Sequence, residues 1–283
     1  MQQSNSSEML DISKKNDDNC RQLISLITHP ESNISEIIKF IDESGVNINC
    51  KYGNLQHKNT PLINATLFKP QIVRYLLENG ADPNIPESGT GRTPLAIAVS
   101  KKNIEIMEHL FANRIPIMID SVDKEGYTPL FWAVANSKKD EIDYKIISFL
   151  LKKGANPNKL FNGSSPLYYA VLKKDSKIID ILLEHGADIN KENINGDTPI
   201  SLAERSDPFL FKKLSDYISL KGIRMINEYP NLENNIGFDS LSDLYEFSQP
   251  PKGGKRRKTS KKGRKPSKKK RKTVKKRRKY KKA

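Results

Sequence analysis

Apolar residues in this chain come in short paired runs. From Ser165 to Asn190 the order is SPLYYAVLKKDSKIIDILLEHGADIN. Leu167, Ala170 and Val171 recur at three- and four-residue spacing, which predicts one apolar face on a short helix. Ser165 suits the helix start, where its hydroxyl accepts from a free N–H, and Pro166 suits the first helical position, which needs no N–H. The polar turn Lys173-Lys174-Asp175-Ser176 follows. Ile178, Ile179, Ile181, Leu182 and Leu183 then predict a second, more apolar helix, and Gly186 ends it by tolerating a left-handed backbone. Two helices of about ten residues are marginal alone and require neighbours.

The neighbours are copies of the same unit. The [ST]-P-[LI] opening recurs at Thr60, Thr93, Thr128, Ser165 and Thr198, at spacings of 33, 35, 37 and 33 residues. The closing G-A-[DN]-x-N recurs at Gly80, Gly154 and Gly186, with a worn copy at Gly45 and a lost one at Arg114. A period near 33 with T-P-L opening each unit resembles the ankyrin repeat. The resemblance covers roughly residues 17–222 and implies an all-α solenoid of about six helix-turn-helix repeats with protruding turns. One departure stands out. The family's usual His after T-P-L is replaced by Ile63, Ala96, Phe131, Tyr168 and Ser201, which removes a loop-to-helix hydrogen bond and lowers the expected local stability.

In chain order, residues 1–19 are polar and are expected to be disordered, and the repeat array is assigned to 20–222. Arg21–Thr28 and Ser35–Ser44 predict the helices of a first repeat without T-P-L. Pro70 opens the outer helix of the second. In the third, Arg114 and Pro116 stand where Gly-Ala is usual, so a different turn and a local change in stacking are expected. The fourth carries extra residues in Asn136–Tyr144, read as drift in a surface turn, since loops accept insertions at small entropic cost. The sixth ends in a more polar helix, Phe209–Ser219, as a terminal cap does. An acidic hinge (223–251), with a short helix predicted at Ser240–Phe247, leads to a disordered polybasic tail (252–283).

Charge sharpens this division. The chain's +16 is not uniform. Residues 252–283 hold 21 Lys/Arg and no acid, 225–251 hold five acids and no base, and 1–224 balance 28 bases with 28 acids. Cys20 and Cys50 are too few for a disulfide framework, and reduced thiols are expected. The opening MQQSNSSEML lacks signal-peptide architecture and no apolar run approaches 18 residues, so an intracellular protein is expected. The wealth of Asn, Ile and Lys, with the repeats and the basic tail, resembles ankyrin proteins of giant DNA viruses.

Catalytic chemistry finds little support. His29, His57, His109 and His185 have no Ser, Cys or carboxylate at triad or metal-site spacing, His185 matches the family's helix-end His, and no glycine run forms a phosphate-cradling loop. No enzyme, cofactor or metal is expected. The resemblance implies instead a concave face that binds a protein through turn tips and exposed inner-helix positions. Matching positions are Gln56, His57 and Asn59; Arg92 and Lys101; Lys124, Glu125, Tyr127 and Asn136; Phe161, Asn162 and Lys173; and Ile194, Asn195 and Asp197. Tyr127 and Phe161 are the aromatic anchors, unless Phe161 folds down onto the next repeat. Trp132 is expected to pack between repeats.

In the tail, the basic clusters are Lys255, Arg256, Arg257 and Lys258; Lys268, Lys269, Lys270, Arg271 and Lys272; and Lys275, Lys276, Arg277, Arg278 and Lys279. Such runs predict a nuclear-targeting or nucleic-acid patch, placing the protein in a nucleus, nucleolus or viral factory. An anionic membrane surface ranks lower as a partner, because no lipidation motif or amphipathic face accompanies the charge.

Overall fold

The computed structural model describes residues 2–53 and 58–228, with side chains placed for 14–53 and 58–220. These residues form twelve α-helices: α1 (Gln2–Thr28), α2 (Ile34–Ser44), α3 (Pro61–Phe68), α4 (Val73–Glu78), α5 (Pro94–Ser100), α6 (Ile104–Phe111), α7 (Pro129–Ala135), α8 (Glu141–Lys152), α9 (Pro166–Leu172), α10 (Ser176–Glu184), α11 (Pro199–Ser206) and α12 (Pro208–Glu228). Pro70 opens a 3-10 turn, Pro70–Ile72, ahead of α4 rather than α4 itself. Residues beyond 228, including most of the acidic hinge, the helix predicted at 240–247 and the basic tail, lie outside the described residues.

Each T-P-L opening works as its chemistry predicts. Thr60, Thr93, Thr128, Ser165 and Thr198 hold extended backbone, and each hydroxyl accepts from the amide three residues on. The proline fills the first helical position. The absent His therefore leaves the helix starts intact. Inner helices stack in series, α1 on α3, then α5, α7, α9 and α11, and α12 closes on α11. A continuous core runs from Leu23 and Ile27 through Leu62, Leu95, Leu130 and Leu167 to Leu214.

The worn third repeat changes the stacking, as its sequence suggests. Outer helices α4 and α6, and α8 and α10, pack closely, whereas α6 and α8 meet through an edge-on Phe111–Phe149 pair at 5.5 Å. One inter-repeat tie survives the loss of Gly-Ala. The last Asn of the closing motif reaches the next repeat at Asn49 (to Gly80 O and Asp82 N), Asn84 (to Pro116 O and Met118 N) and Asn158 (to Gly186 O and Asp188 N).

Four expectations are corrected. Helix α1 begins at Gln2, where disorder was expected over 1–19; no Gly or Pro interrupts residues 2–28. Helix α12 runs to Glu228, so the first hinge positions continue a helix. Cys20 and Cys50 are disulfide-bonded rather than reduced. Packing α1 against α2 and α3 brings the buried Cys20 beside the segment after α2, with a Cα–Cα separation of 6.1 Å, within bridging range. Finally, the fourth-repeat insertion is not idle. Asp140 caps α8 by accepting from Asp143 N, and the buried Asp143 accepts from Lys138 N. Lys102 of the preceding repeat bridges both carboxylates, at 2.8 and 2.6 Å.

Candidate protein interface

The face offered to a partner is built from the last turns of the inner helices and the hairpin tips between repeats. Counting from the opening Thr or Ser, the seventh and eighth positions of successive repeats are Leu67-Phe68, Ser100-Lys101, Ala135-Asn136 and Leu172-Lys173. The third to sixth positions are largely buried, so exposure is concentrated at the helix ends. Phe68 and Leu172 are 58% and 55% exposed there. They sit one position apart in register, Phe68 at the eighth and Leu172 at the seventh. The register from the opening Thr locates them, although they were absent from the sequence-derived set.

Of that set, Lys101, Lys124, Glu125, Asn136, Asn162, Ile194 and Asn195 are exposed. Gln56 and His57 lie outside the described residues, as do all the basic-cluster residues of the tail. Asn59 pairs with Tyr52 in an isolated antiparallel bridge and accepts from Ser88 N with its side chain. Asp197 is tied to Arg205 at 2.8 Å. Lys124 donates to Ser88 O at 2.6 Å. Ile194 covers the neighbouring tip: a Cβ on Gly163, whose φ is +75°, would come within 2.0 Å of its Cγ2.

The two aromatic anchors are engaged with each other. Tyr127 stacks on Phe161 at 3.8 Å, and Phe161 also packs on the fully buried Phe131 at 4.9 Å. Phe131 meets Tyr169 at 5.1 Å. Phe161 thus folds back onto the fourth repeat, and burial pushes the Tyr127 hydroxyl pKa up. The aromatic replacing the family's His, Phe131, is what draws the two tips together.

Lys173 closes the end of the preceding inner helix. Its Nζ donates to Ala135 O at 2.9 Å and Ser137 O at 2.7 Å, beyond the end of α7, and desolvation lowers its pKa. Lys69 makes the same closure after α1, on His29 O and Ser32 O. Between these, Trp132 packs at the junction of the third and fourth repeats, as expected, with the Arg92 guanidinium over its ring at 5.8 Å. Lys102 is pushed up by its hydrogen bonds to Asp140 and Asp143. His185 Nδ1 sits 2.8 Å from Ile181 O within its own helix end. Among the described residues, no group of three or more His, Cys, Asp or Glu is placed to hold a metal ion.

A family model described as "Ankyrin repeats (3 copies)" matches residues 8–121, 86–161, 118–193 and 143–217. The zebrafish (Danio rerio) protein named palmitoyltransferase ZDHHC13 is 34% identical over 188 residues, 65% of this chain and 28% of that protein. Human (Homo sapiens) transient receptor potential cation channel subfamily A member 1 is 36% identical over 111 residues, 38% of this chain and 10% of the channel. Ankyrin repeat protein FPV031 of fowlpox virus is 29% identical over 178 residues, 61% of this chain and 49% of that protein. The chain thus spans less than half the length of these relatives. Among solved structures, the ankyrin repeat domain of Bcl-3 superposes with a TM-score of 0.54 at 24% identity, over 64% of this chain and 78% of that domain, a likeness of fold. With the opening motif, the closing motif and the stacked helix pairs in one register, the chain belongs to the ankyrin-repeat family.

Proposed function

We propose that this protein is an adaptor whose concave ankyrin face selects a protein partner and whose basic segment, 252–283, carries the pair to nucleic acid or an import receptor. A nucleus, nucleolus or viral factory is the destination that the charge fits. The observation that carries the reading is the exposure of Phe68, Lys101 and Asn136 at one repeat position, and of Leu172 one position earlier, beside helices that are otherwise buried. Substituting Phe68→Ser together with Leu172→Ser in the full chain should abolish capture of the partners that wild type retains, at unchanged melting temperature. Unchanged capture removes the face from the account. Truncation after Gln249 should leave capture intact and abolish nuclear concentration, and equal distribution of the two forms removes the targeting role.

A second reading makes the protein a nucleic-acid binder in which the repeats only anchor the basic segment. Twenty-one bases with no acid favour it. If about ten phosphates on duplex DNA are neutralised, log K falls against log salt with a slope of roughly −9. A slope near zero rules this reading out.

A further inference from the structure

We infer that the middle of the concave face, carried by α5 and α7, takes an acidic segment of the partner protein, with a partner carboxylate seated on Arg92 against Trp132. The inference rests on the adaptor reading and names the chemistry of that partner. Arg92 is the central observation. Its guanidinium is permanently charged and has five donors arranged in a fork. Among the described residues the side chain donates no hydrogen bond, and its Nε is buried without a partner. That Nε lies 3.5 Å from Asp123 Oδ2, an ion pair too long to be a good hydrogen bond, and the terminal nitrogens of the fork donate to no group among the described residues. The side chain is still 27% exposed and lies over the Trp132 ring, so a carboxylate can approach the fork beside an apolar wall.

Lys101 gives the second positive group. It closes α5 at an exposed eighth position and has no ion pair among the described residues. Neighbouring lysines are internally engaged: Lys102 with two carboxylates, Lys124 with Ser88 O and Lys173 with main-chain oxygens. Lys101 stands apart from them, and Arg92 is held only by its long contact to Asp123. Phe68 on one side and Leu172 on the other supply apolar contact, so the segment that fits carries apolar residues between its acids.

Trp132 is the only tryptophan in the chain, and it reports directly on this place. The full-length protein is titrated, at about 0.15 M salt, with a ten-residue peptide of alternating Glu and Leu, and with its Gln counterpart, while Trp132 emission is followed. The basic segment also attracts the Glu peptide, but it holds no tryptophan, so binding there leaves the emission unchanged. The expected result is a saturable shift with the Glu peptide and at least tenfold weaker binding of the Gln peptide. Arg92→Gln should weaken the Glu peptide tenfold or more, and Lys101→Gln two- to fivefold. Melting curves accompany each variant. Should Arg92→Gln melt early, Arg92→Lys keeps the charge, loses the fork and should still weaken binding tenfold. Silence of Trp132 with the Glu peptide overturns the inference, as does indifference to both substitutions. Equal response to Glu and Gln peptides overturns the acidic preference but leaves the protein-binding reading standing. A stronger response to a ten-residue oligothymidylate overturns it in favour of nucleic acid.

Discussion

At the hairpin tips, the fourth and fifth repeats meet through neutral rings: Tyr127 stacked on Phe161, and Phe161 on the buried Phe131. At the turns between helices, the same repeats meet through charge. Lys173 holds the oxygens beyond α7, Lys139 Nζ donates to Lys173 O at 2.9 Å, and Lys102 joins Asp140 and Asp143 from the repeat before. Lys102 and Lys139 do so from positive φ, a conformation that costs a side-chain-bearing residue about 1 kcal/mol and that glycine adopts freely. The difference teaches how this array manages without the family's His. One end gains an aromatic cluster in its place, and the other accepts backbone strain in exchange for lysines that reach the adjacent repeat. The neutral end should be indifferent to pH in the acid range, and the charged end should not.

The largest expected effect tests the neutral end. Phe131→Ala removes a fully buried ring that touches three others, so unfolding should become easier by about 3–5 kcal/mol, read from denaturant midpoints. Tyr127→Ala, on a half-buried ring, should cost less than Phe131→Ala. An equal cost would mean that the cluster is held by its surface ring, against the comparison drawn above.

Next is the covalent tie at the first repeat. Cys20 and Cys50 close a loop over a sequence separation of 30 residues, and removing such a link costs about 2–4 kcal/mol, mainly by freeing the unfolded chain. Cys50→Ser, or thiol reductant on wild type, should lower the melting temperature by a similar amount, and reductant should leave the variant unchanged. If the variant still responds to reductant, the effect lies elsewhere.

At the charged end, Lys173→Met keeps most of the side-chain volume and deletes the cap on Ala135 O and Ser137 O. The expected loss is about 2 kcal/mol, in the range for hydrogen bonds from a charged group. At roughly 2–4 °C per kcal/mol for a domain of this size, the midpoint should fall by about 4–8 °C. An unchanged midpoint would show that solvent satisfies those carbonyls equally well.

The repeat register was legible because it rests on local chemistry. A Thr that caps, a Pro at the first helical position and a Gly that ends a helix act within a few residues of their own backbone. What escaped was long-range. The Cys20–Cys50 pairing depends on how α1 packs, and the fates of Lys173 and Phe161 depend on groups more than 25 residues away. Phe68 was legible in principle, since it shares a register with Lys101 and Asn136, and Leu172 lies one position earlier in its own repeat. Helix α1 escaped for a different reason, because polar composition argues against a packed core but does not forbid a helix.

The smallest effect separates the two ends without any mutation. Asp140 has its pKa lowered, first by the Lys102 side chain and then by the Asp143 amide, and Asp207 by the amide of Leu210 and then by Lys174. A carboxylate whose folded pKa lies below its unfolded value of 3.8 adds stability that is fully present above that value, and this is lost as pH falls through the folded one. Both groups are partly exposed, so the contribution is small and weakens further with salt. On acidification below pH 4, the amide signals of Asp143 and Leu210, whose N–H groups donate to these carboxylates, should move first. The Phe161 and Ser164 amides, which donate only to carbonyls across the tip, should hold their positions. Asp140→Asn should abolish the low-pH movement at Asp143 and leave that at Leu210 untouched, since the two caps belong to different repeats. If the tip amides move before the caps, the division between a charged and a neutral end is wrong.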